Sequence, residues 1–302
     1  MRVSRRSILL ALAVGVISLM TLSGLILAVV IAVRGEGGLS FGGRIALIEV
    51  EGVITDEEEY LEQIRKLRSD GSVKGFVVAI NSPGGAVAPT QSIYRELRRI
   101  REEDHRPVIA SIGGVGASGG YYIALAADSI FALPGSITGS IGALMEFPNA
   151  RQLMEKLGVE VEVVKSGAHK DLGSPFRPIS AEEREILGAV VEDVYEQFVE
   201  VVAKERSLDP EVVRRLADGR IFSGRQAREQ GLVDRLGNRN DALAAAGRMA
   251  GLGDDPKVVR PPKEKFTLLE LLLGQGAATT LADLVQSVTE ARGPRLRYVV
   301  PF

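Results

Sequence analysis

Ser118 lies in the run Gly113-Gly114-Val115-Gly116-Ala117-Ser118-Gly119-Gly120-Tyr121-Tyr122, where glycines and one alanine crowd a single hydroxyl. The chain continues as Ile123-Ala124-Leu125-Ala126-Ala127, which reads as a buried helix of small residues. A serine at the first turn of a helix, after a glycine-rich bend, is open to a substrate. It also stands beside backbone N–H groups that favour developing negative charge. That is the placement of an acyl-transfer nucleophile; the plainer reading is an N-cap serine on a glycine-rich turn. A second run, Asn81-Ser82-Pro83-Gly84-Gly85, follows an apolar stretch and reads as a turn after a strand. Its glycines allow close backbone approach, with the Gly85 N–H as one oxyanion donor and the Gly119 N–H as the other. The serine hydroxyl needs a base to attack an amide carbonyl. The loop Lys165-Ser166-Gly167-Ala168-His169-Lys170-Asp171-Leu172-Gly173-Ser174-Pro175 supplies a histidine and two lysines. A lysine must be brought down from about 10.4 to serve near neutrality, which burial does by disfavouring the charged form. Chemistry alone does not choose among them.

Composition narrows the field. The chain has 302 residues, 37 basic and 39 acidic side chains, and a net charge of -2, which gives no reason to expect a nucleic-acid partner. It has no cysteine, which excludes disulfides, zinc-thiolate sites and a cysteine nucleophile. Its only histidines are His105 and His169, so a Ser-His-Asp triad has few routes. His105 follows a charged run and carries no functional argument.

The elements that must position Ser118 follow from periodicity. Residues 7–33 contain no charge and are mostly Leu, Ile, Val and Ala, preceded by Arg2, Arg5 and Arg6. At ~1.5 Å per helical residue this run spans a bilayer core of roughly 30 Å. Its length predicts an uncleaved anchor rather than a signal peptide. The positive-inside rule puts residues 1–6 in the cytoplasm and the remainder outside. Residues 34–43 read as a glycine-rich linker. Strands are expected at 44–50, 73–80 and 107–112, helices at 55–68 and 88–103, which is the α/β signature of a mostly parallel sheet. Beyond Ser118 a strand is expected at 129–133 and a second Gly/Ser/Thr-rich loop at 134–142. A helix follows at 150–157, then a strand at 159–165 and an irregular loop at 166–178. Helices at 181–206, 225–230 and 241–249 complete a domain at 44–250, roughly 210 residues and enough for a sizeable core. Residues 251–302 form a C-terminal extension ending in the apolar run Leu296-Arg297-Tyr298-Val299-Val300-Pro301-Phe302.

Five motifs in order carry a resemblance: Asn81-Ser82-Pro83-Gly84-Gly85, Ala117-Ser118-Gly119-Gly120-Tyr121-Tyr122, Thr138-Gly139-Ser140-Ile141-Gly142, Ser166-Gly167-Ala168-His169-Lys170-Asp171 and Asp218-Gly219-Arg220. The chain resembles the signal peptide peptidase A family in its short bacterial form, with one anchor and one peptidase domain. The resemblance implies an α/β fold of the crotonase-like, Clp protease-like type, built from repeated ββα units. It implies a Ser-Lys dyad: Ser118 as nucleophile, Lys170 as general base, Ser140 orienting the lysine, and Gly85 and Gly119 as oxyanion donors. His169 then neighbours the base, and Asp171 is structural or solvated. No metal or cofactor is expected. Expected partners are remnant signal peptides and other unfolded or hydrophobic peptides, the bilayer, and further copies of the chain. The resemblance implies a ring-like homo-oligomer, with an octamer as the working number, and leaves open whether Ser118 and Lys170 pair within one chain or between neighbouring subunits. Competing readings are a crotonase-like acyl-CoA enzyme, a non-catalytic membrane scaffold on the same fold, and a peptidase with His169 as base.

Overall fold

The computed structural model describes residues 18–24, 42–261 and 297–299. The chain divides into a unit Met1–Gly43 and a unit Arg44–Phe302. In the first, residues 18–24 are helical, with Leu19, Met20 and Leu22 exposed. The rest of the expected anchor at 7–33 lies outside the described residues, and among those described no helix is long and apolar enough to cross a membrane.

The second unit opens with β1 (Arg44–Ile54), α1 (Glu58–Ser69), β2 (Val73–Ala86), α2 (Val87–Glu102) and β3 (Val108–Ala117). It continues through α3 (Gly119–Ala124), β4 (Ser129–Ala132), β5 (Ile137–Gly139), α4 (Arg151–Lys156), α5 (Ala181–Arg206) and α6 (Pro210–Leu216). Then come β6 (Ile221–Ser223), α7 (Gly224–Glu229), β7 (Arg235–Leu236), α8 (Arg239–Met249), β8 (Val258–Val259) and β9 (Arg297–Val299). The strands form one sheet in the order β6-β5-β3-β2-β1-β8. β4 joins β3 and β7, and β9 joins β2. Every pairing is parallel except β5 with β6 and β2 with β9.

Both faces of the sheet are covered, as parallel strands require. Ala46, Ile48, Val50, Phe76, Val78 and Ile80 point to one face. There they meet Ile93, Leu97 and Ile100 of α2 and Phe198, Val199 and Val202 of α5. The alternate residues Ile45, Leu47, Val77 and Ile109 meet Ala242, Ala245 and Ala246 of α8. The buried residues of α2 recur at helical spacing: Val87, Thr90, Ile93, Tyr94, Leu97 and Ile100. α5 starts at a capping box between Ser180 and Glu183.

Three expectations are corrected. Asn81-Ser82-Pro83-Gly84-Gly85 is not a turn after β2 but its last part, since β2 runs to Ala86 with a register shift after Ile80 that accommodates the proline. Likewise Gly113 to Ala117 belongs to β3. Residues 159–165 form no strand. Val159, Val161 and Val163 alternate with glutamates, but the stretch is exposed and, among the described residues, no strand edge pairs with it. The extension from residue 251 supplies two short strands, β8 pairing with β1 and β9 with β2. The apolar stretch at 266–273 lies outside the described residues.

Candidate active site

β3 forks. Ile109 to Ile112 pair with β4, while Val115 to Ala117 pair with β5. Ser118 stands immediately after the second branch and caps α3, at φ 52 and ψ -117. This is a sharp strand-to-helix elbow that an L-residue adopts only under strain. Its N–H donates to the Gly139 carbonyl at 2.8 Å, and its carbonyl accepts from the Tyr122 N–H at 2.9 Å. The serine is not open to solvent as expected. It is 1% exposed, and its Oγ is buried with no hydrogen-bond partner. A polar atom hidden without a partner is uncommon enough to call for a role.

The two glycine runs meet at this elbow. A Cβ on Gly119 would stand 3.2 Å from both the Gly84 Cα and the Gly85 amide nitrogen, and 2.8 Å from the Thr90 Oγ1. Gly84 has φ 101, and its N–H donates to the Ser82 Oγ at 3.1 Å. The backbone nitrogens of Gly85 and Gly119 thus converge on one place, which suits stabilisation of an oxyanion.

Ser140 follows β5, next to the Gly139 that binds the Ser118 backbone. It has φ 49 and is buried. Its N–H donates to the Arg220 carbonyl at 2.8 Å, and the Gly219 N–H donates to the Ile141 carbonyl at 3.2 Å. The Asp218-Gly219-Arg220 motif therefore holds the Ser140 loop through backbone bonds. Arg220 in turn binds the Asp218 carboxylate, lowering its pKa to about 2.

No hydrogen bond joins Lys170 to Ser118 within the chain. The lysine occupies an exposed turn in which its N–H donates to the Gly167 carbonyl. Among the described residues its ammonium makes no ion pair or hydrogen bond, and the Ser118 Oγ has no partner. Lys165, the alternative lysine, is otherwise engaged: its ammonium binds Asp171 at 2.6 Å and the Ala168 carbonyl at 2.8 Å. Asp171 also takes Arg177 at 2.9 Å, and Arg177 reaches Glu183 at the start of α5. The Arg177 guanidinium, with Lys165 second, holds the Asp171 carboxyl well below the usual carboxylate range. Arg177 also lowers Glu183 to about 2. His169, in the same exposed loop, sits 3.6 Å from Glu182 in the first turn of α5. Asp171 is thus structural, and the loop carrying Lys170 is fixed from behind by an ion-pair clamp.

Residue-by-residue reading missed β9. Its Tyr298 is fully buried and joins Tyr94, Tyr122 and Phe198 in an aromatic cluster beneath the glycine runs. The apolar pattern of the tail was the one available signal; its docking place was not.

A strained, desolvated serine between two glycine backbones, at the end of a parallel-sheet strand, defines a serine peptidase on a Clp-like α/β fold. The Peptidase family S49 profile matches residues 100–253, and the Clp protease profile matches residues 44–138. A Synechocystis protein named as a protease is 41% identical over 242 residues, 80% of this chain and 87% of the relative. An Enterococcus faecium protein named as signal peptide peptidase SppA is 38% identical over 269 residues, 83% of this chain and 78% of the relative. The chloroplastic serine protease SPPA of Arabidopsis thaliana is 32% identical over 80% of this chain and 36% of its own length. The chain belongs to peptidase family S49, the signal peptide peptidase family.

Proposed function

We propose that this serine peptidase is a membrane-anchored endopeptidase of the bacterial cell membrane that cuts remnant signal peptides and other unfolded hydrophobic peptides. Its site pairs Ser118 of one copy with Lys170 of a neighbouring copy. The observation that carries this reading is the Ser118 Oγ itself, buried, strained in its backbone and without a partner. A hydroxyl so placed lacks one hydrogen-bonding group, and the chain presents an exposed ammonium on the Lys170 loop that shares no hydrogen bond with it in the same chain. In the assembled site the Lys170 amine, in its neutral form, takes the proton of the Ser118 hydroxyl. The oxygen attacks the peptide carbonyl carbon. The Gly85 and Gly119 N–H groups hold the oxyanion, and Ser140 orients the amine. The protonated lysine then gives its proton to the leaving amine, and water hydrolyses the ester. An extended substrate lies beside a strand, where main-chain bonds give affinity without demanding a particular sequence.

Support for an anchor is the charge-free run at 7–33 behind Arg2, Arg5 and Arg6; the positive-inside rule favours an N-terminus in the cytoplasm and a peptidase domain outside. Support for assembly, with a ring of eight as the working number, is the lack of a hydrogen bond between Lys170 and Ser118 in one chain and the unpaired alternating stretch at 159–165.

The full chain in detergent, assayed on a hydrophobic signal-like peptide, tests the pairing. Ser118→Ala and Lys170→Ala each lose at least about a thousandfold in kcat, the scale of a removed nucleophile or base. Lys165→Ala and His169→Ala retain turnover. Mixing the two dead variants restores a fraction of the wild-type rate, because some neighbouring pairs then hold both intact groups. A dead mixture from variants shown to co-assemble would place both groups in one chain. Retained activity in Lys170→Ala with loss in His169→Ala would move the base.

A further inference from the structure

The α8 side of the sheet changes character toward the carboxyl ends of its strands. Register sets Leu47, Val77 and Ile109 in one row across β1, β2 and β3, and the alanines of α8 pack on it. The next row in the same direction is Glu49, Ala79 and Ser111, and the one after it begins with Glu51 and Asn81. Beside Arg239, the first residue of α8, these two rows line a cavity of about 310 Å³. The small Ala79 side chain makes the floor a trough, with glutamates along one wall and Ser111 along the other. Parallel α/β sheets hold ligands at the carboxyl ends of their strands, and small-ligand sites start at about 300 Å³. The cavity lies behind the sheet from the nucleophile: α3, which Ser118 caps, packs with Ile80 and Ile112 on the other face.

Ser111 points to an occupant. It is 4% exposed and lines the cavity, and among the described residues its hydroxyl has no hydrogen-bond partner. The Ser118 Oγ is sealed inside protein, whereas the Ser111 hydroxyl is answered by whatever enters the cavity. A buried hydroxyl without a partner is uncommon. Charge narrows the choice of occupant. Glu49 is answered by the Arg239 guanidinium at 2.9 Å. Glu51, exposed at the mouth, makes no ion pair among the described residues, so one carboxylate is left uncompensated. The start of α8 offers an anion little, because its N–H groups are already engaged: those of Asn240 and Asp241 donate to the Asn238 Oδ1. Asn81 is held in the floor, its Oδ1 accepting from the Val115 N–H at 3.2 Å. What the cavity lacks is a positive charge for Glu51 and an N–H donor for Ser111.

We propose that this cavity is a second binding site, separate from Ser118, for a singly charged basic group, an alkylguanidinium or alkylammonium, whose N–H groups are shared between the Glu51 carboxylate and the Ser111 hydroxyl. β1 and β3 stand two strand spacings apart, roughly 9–10 Å, and the reach of a glutamate side chain leaves a gap that one such group spans. A guanidinium suits it best, since its planar fork sends several donors in fixed directions at once. Binding weakens as salt rises, because Glu51 is exposed. The same chemistry is carried by a free small cation and by the basic side chain of an extended peptide, and the two differ in whether main chain beyond the side chain adds affinity.

Calorimetric titration of the full chain in detergent tests this, in the Ser118→Ala background so that no probe is cleaved. The probes are N-acetyl-arginine methylamide, its neutral isostere N-acetyl-citrulline methylamide, and a capped Ala-Ala-Arg-Ala-Ala peptide. The arginine probe should bind saturably, one per chain, and the citrulline probe about tenfold more weakly or worse. Glu51→Gln should weaken the arginine probe about tenfold, and Ser111→Ala about threefold to tenfold. The Ser111 hydroxyl has no partner in the free chain, so Ser111→Ala should leave the melting temperature where it is, and its loss of binding is then not a loss of fold. Made in the active chain, both substitutions should leave hydrolysis of the hydrophobic peptide at the wild-type rate. A pentapeptide that binds about tenfold more tightly than the single-residue probe assigns the cavity to peptide side chains, and equal affinity assigns it to a free cation; either supports the site. No saturable binding in the millimolar range, equal binding of arginine and citrulline probes, or binding unchanged in Glu51→Gln or in Ser111→Ala overturns it. Slowed hydrolysis in either variant also overturns it, by making the cavity part of the catalytic machinery.

Discussion

Ser118 carries two burdens that a structural serine has no reason to bear, a left-handed backbone at φ 52 and a hydroxyl shut away with no partner. Each costs stability, on the order of 1–3 kcal/mol. Ser118→Gly removes both at once, set against the extra freedom glycine has in the unfolded chain. It should raise stability by about 1 kcal/mol in denaturant unfolding while abolishing hydrolysis. Ser118→Ala keeps the strained backbone and should gain less. A destabilised Ser118→Gly would mean that the hydroxyl has a structural partner. The neighbouring Gly120 behaves in the opposite sense. A Cβ there would stand 2.7 Å from the Ser82 carbonyl oxygen, an atom of backbone that cannot swing aside. Gly120→Ala should therefore cost about 1–3 kcal/mol and slow turnover by shifting β2 against α3. The crowding of backbones around Ser118 was legible because glycine clusters announce where backbones must pass closely. Its burial was not, because the chain around it comes from Gly139 and Tyr298, far away in sequence.

Among the elements, long helices were the easiest to read. The helix expected at 181–206 is α5 as found, since a capping box marks its start and twenty-six residues of period average out local exceptions. Proline and glycine misled at Asn81-Ser82-Pro83-Gly84-Gly85, where punctuation that ordinarily ends a strand instead bends one that continues. At 159–165 the period of two was real, but a strand also needs a partner edge, which a local pattern cannot supply. The loop between that stretch and α5 carries the clearest pH dependence. Arg177 holds Glu183 at about 2 and Asp171 lower still, both below their unfolded values near 4. Groups depressed in this way contribute stability that is fully present above the unfolded values and lost as pH falls through the folded ones. Hydrogen exchange should show protection at 166–180 holding down to about pH 4 and fading toward pH 2, before the β1–β3 sheet opens. Arg177→Gln should bring the loosened loop to neutral pH, and a loop equally protected in that variant would show the clamp to be idle. At the helix start, Ser180→Ala should remove about 1 kcal/mol.

At the scale of the whole molecule, the parallel order and the two covered faces follow from alternating strands and helices; three of the five ordered motifs meet at Ser118, Asp218-Gly219-Arg220 braces the Ser140 loop, and the Lys170 motif makes no bond there. The contribution of the tail was hidden because β9 pairs with residues more than two hundred positions earlier, and a short apolar run says nothing of where it docks. One further consequence follows from a serine that is 1% exposed. A fluorophosphonate must touch the Ser118 oxygen to phosphorylate it, so the reagent can act only on molecules whose cover has lifted. Its labelling rate then becomes a clock. At low reagent the rate climbs in proportion to concentration and reports the fraction of time the site stands open. At high reagent it levels off at the rate of lifting itself, as exchange does through a transient opening. A rate that stays proportional to reagent into the millimolar range would show that the hydroxyl is reached without waiting.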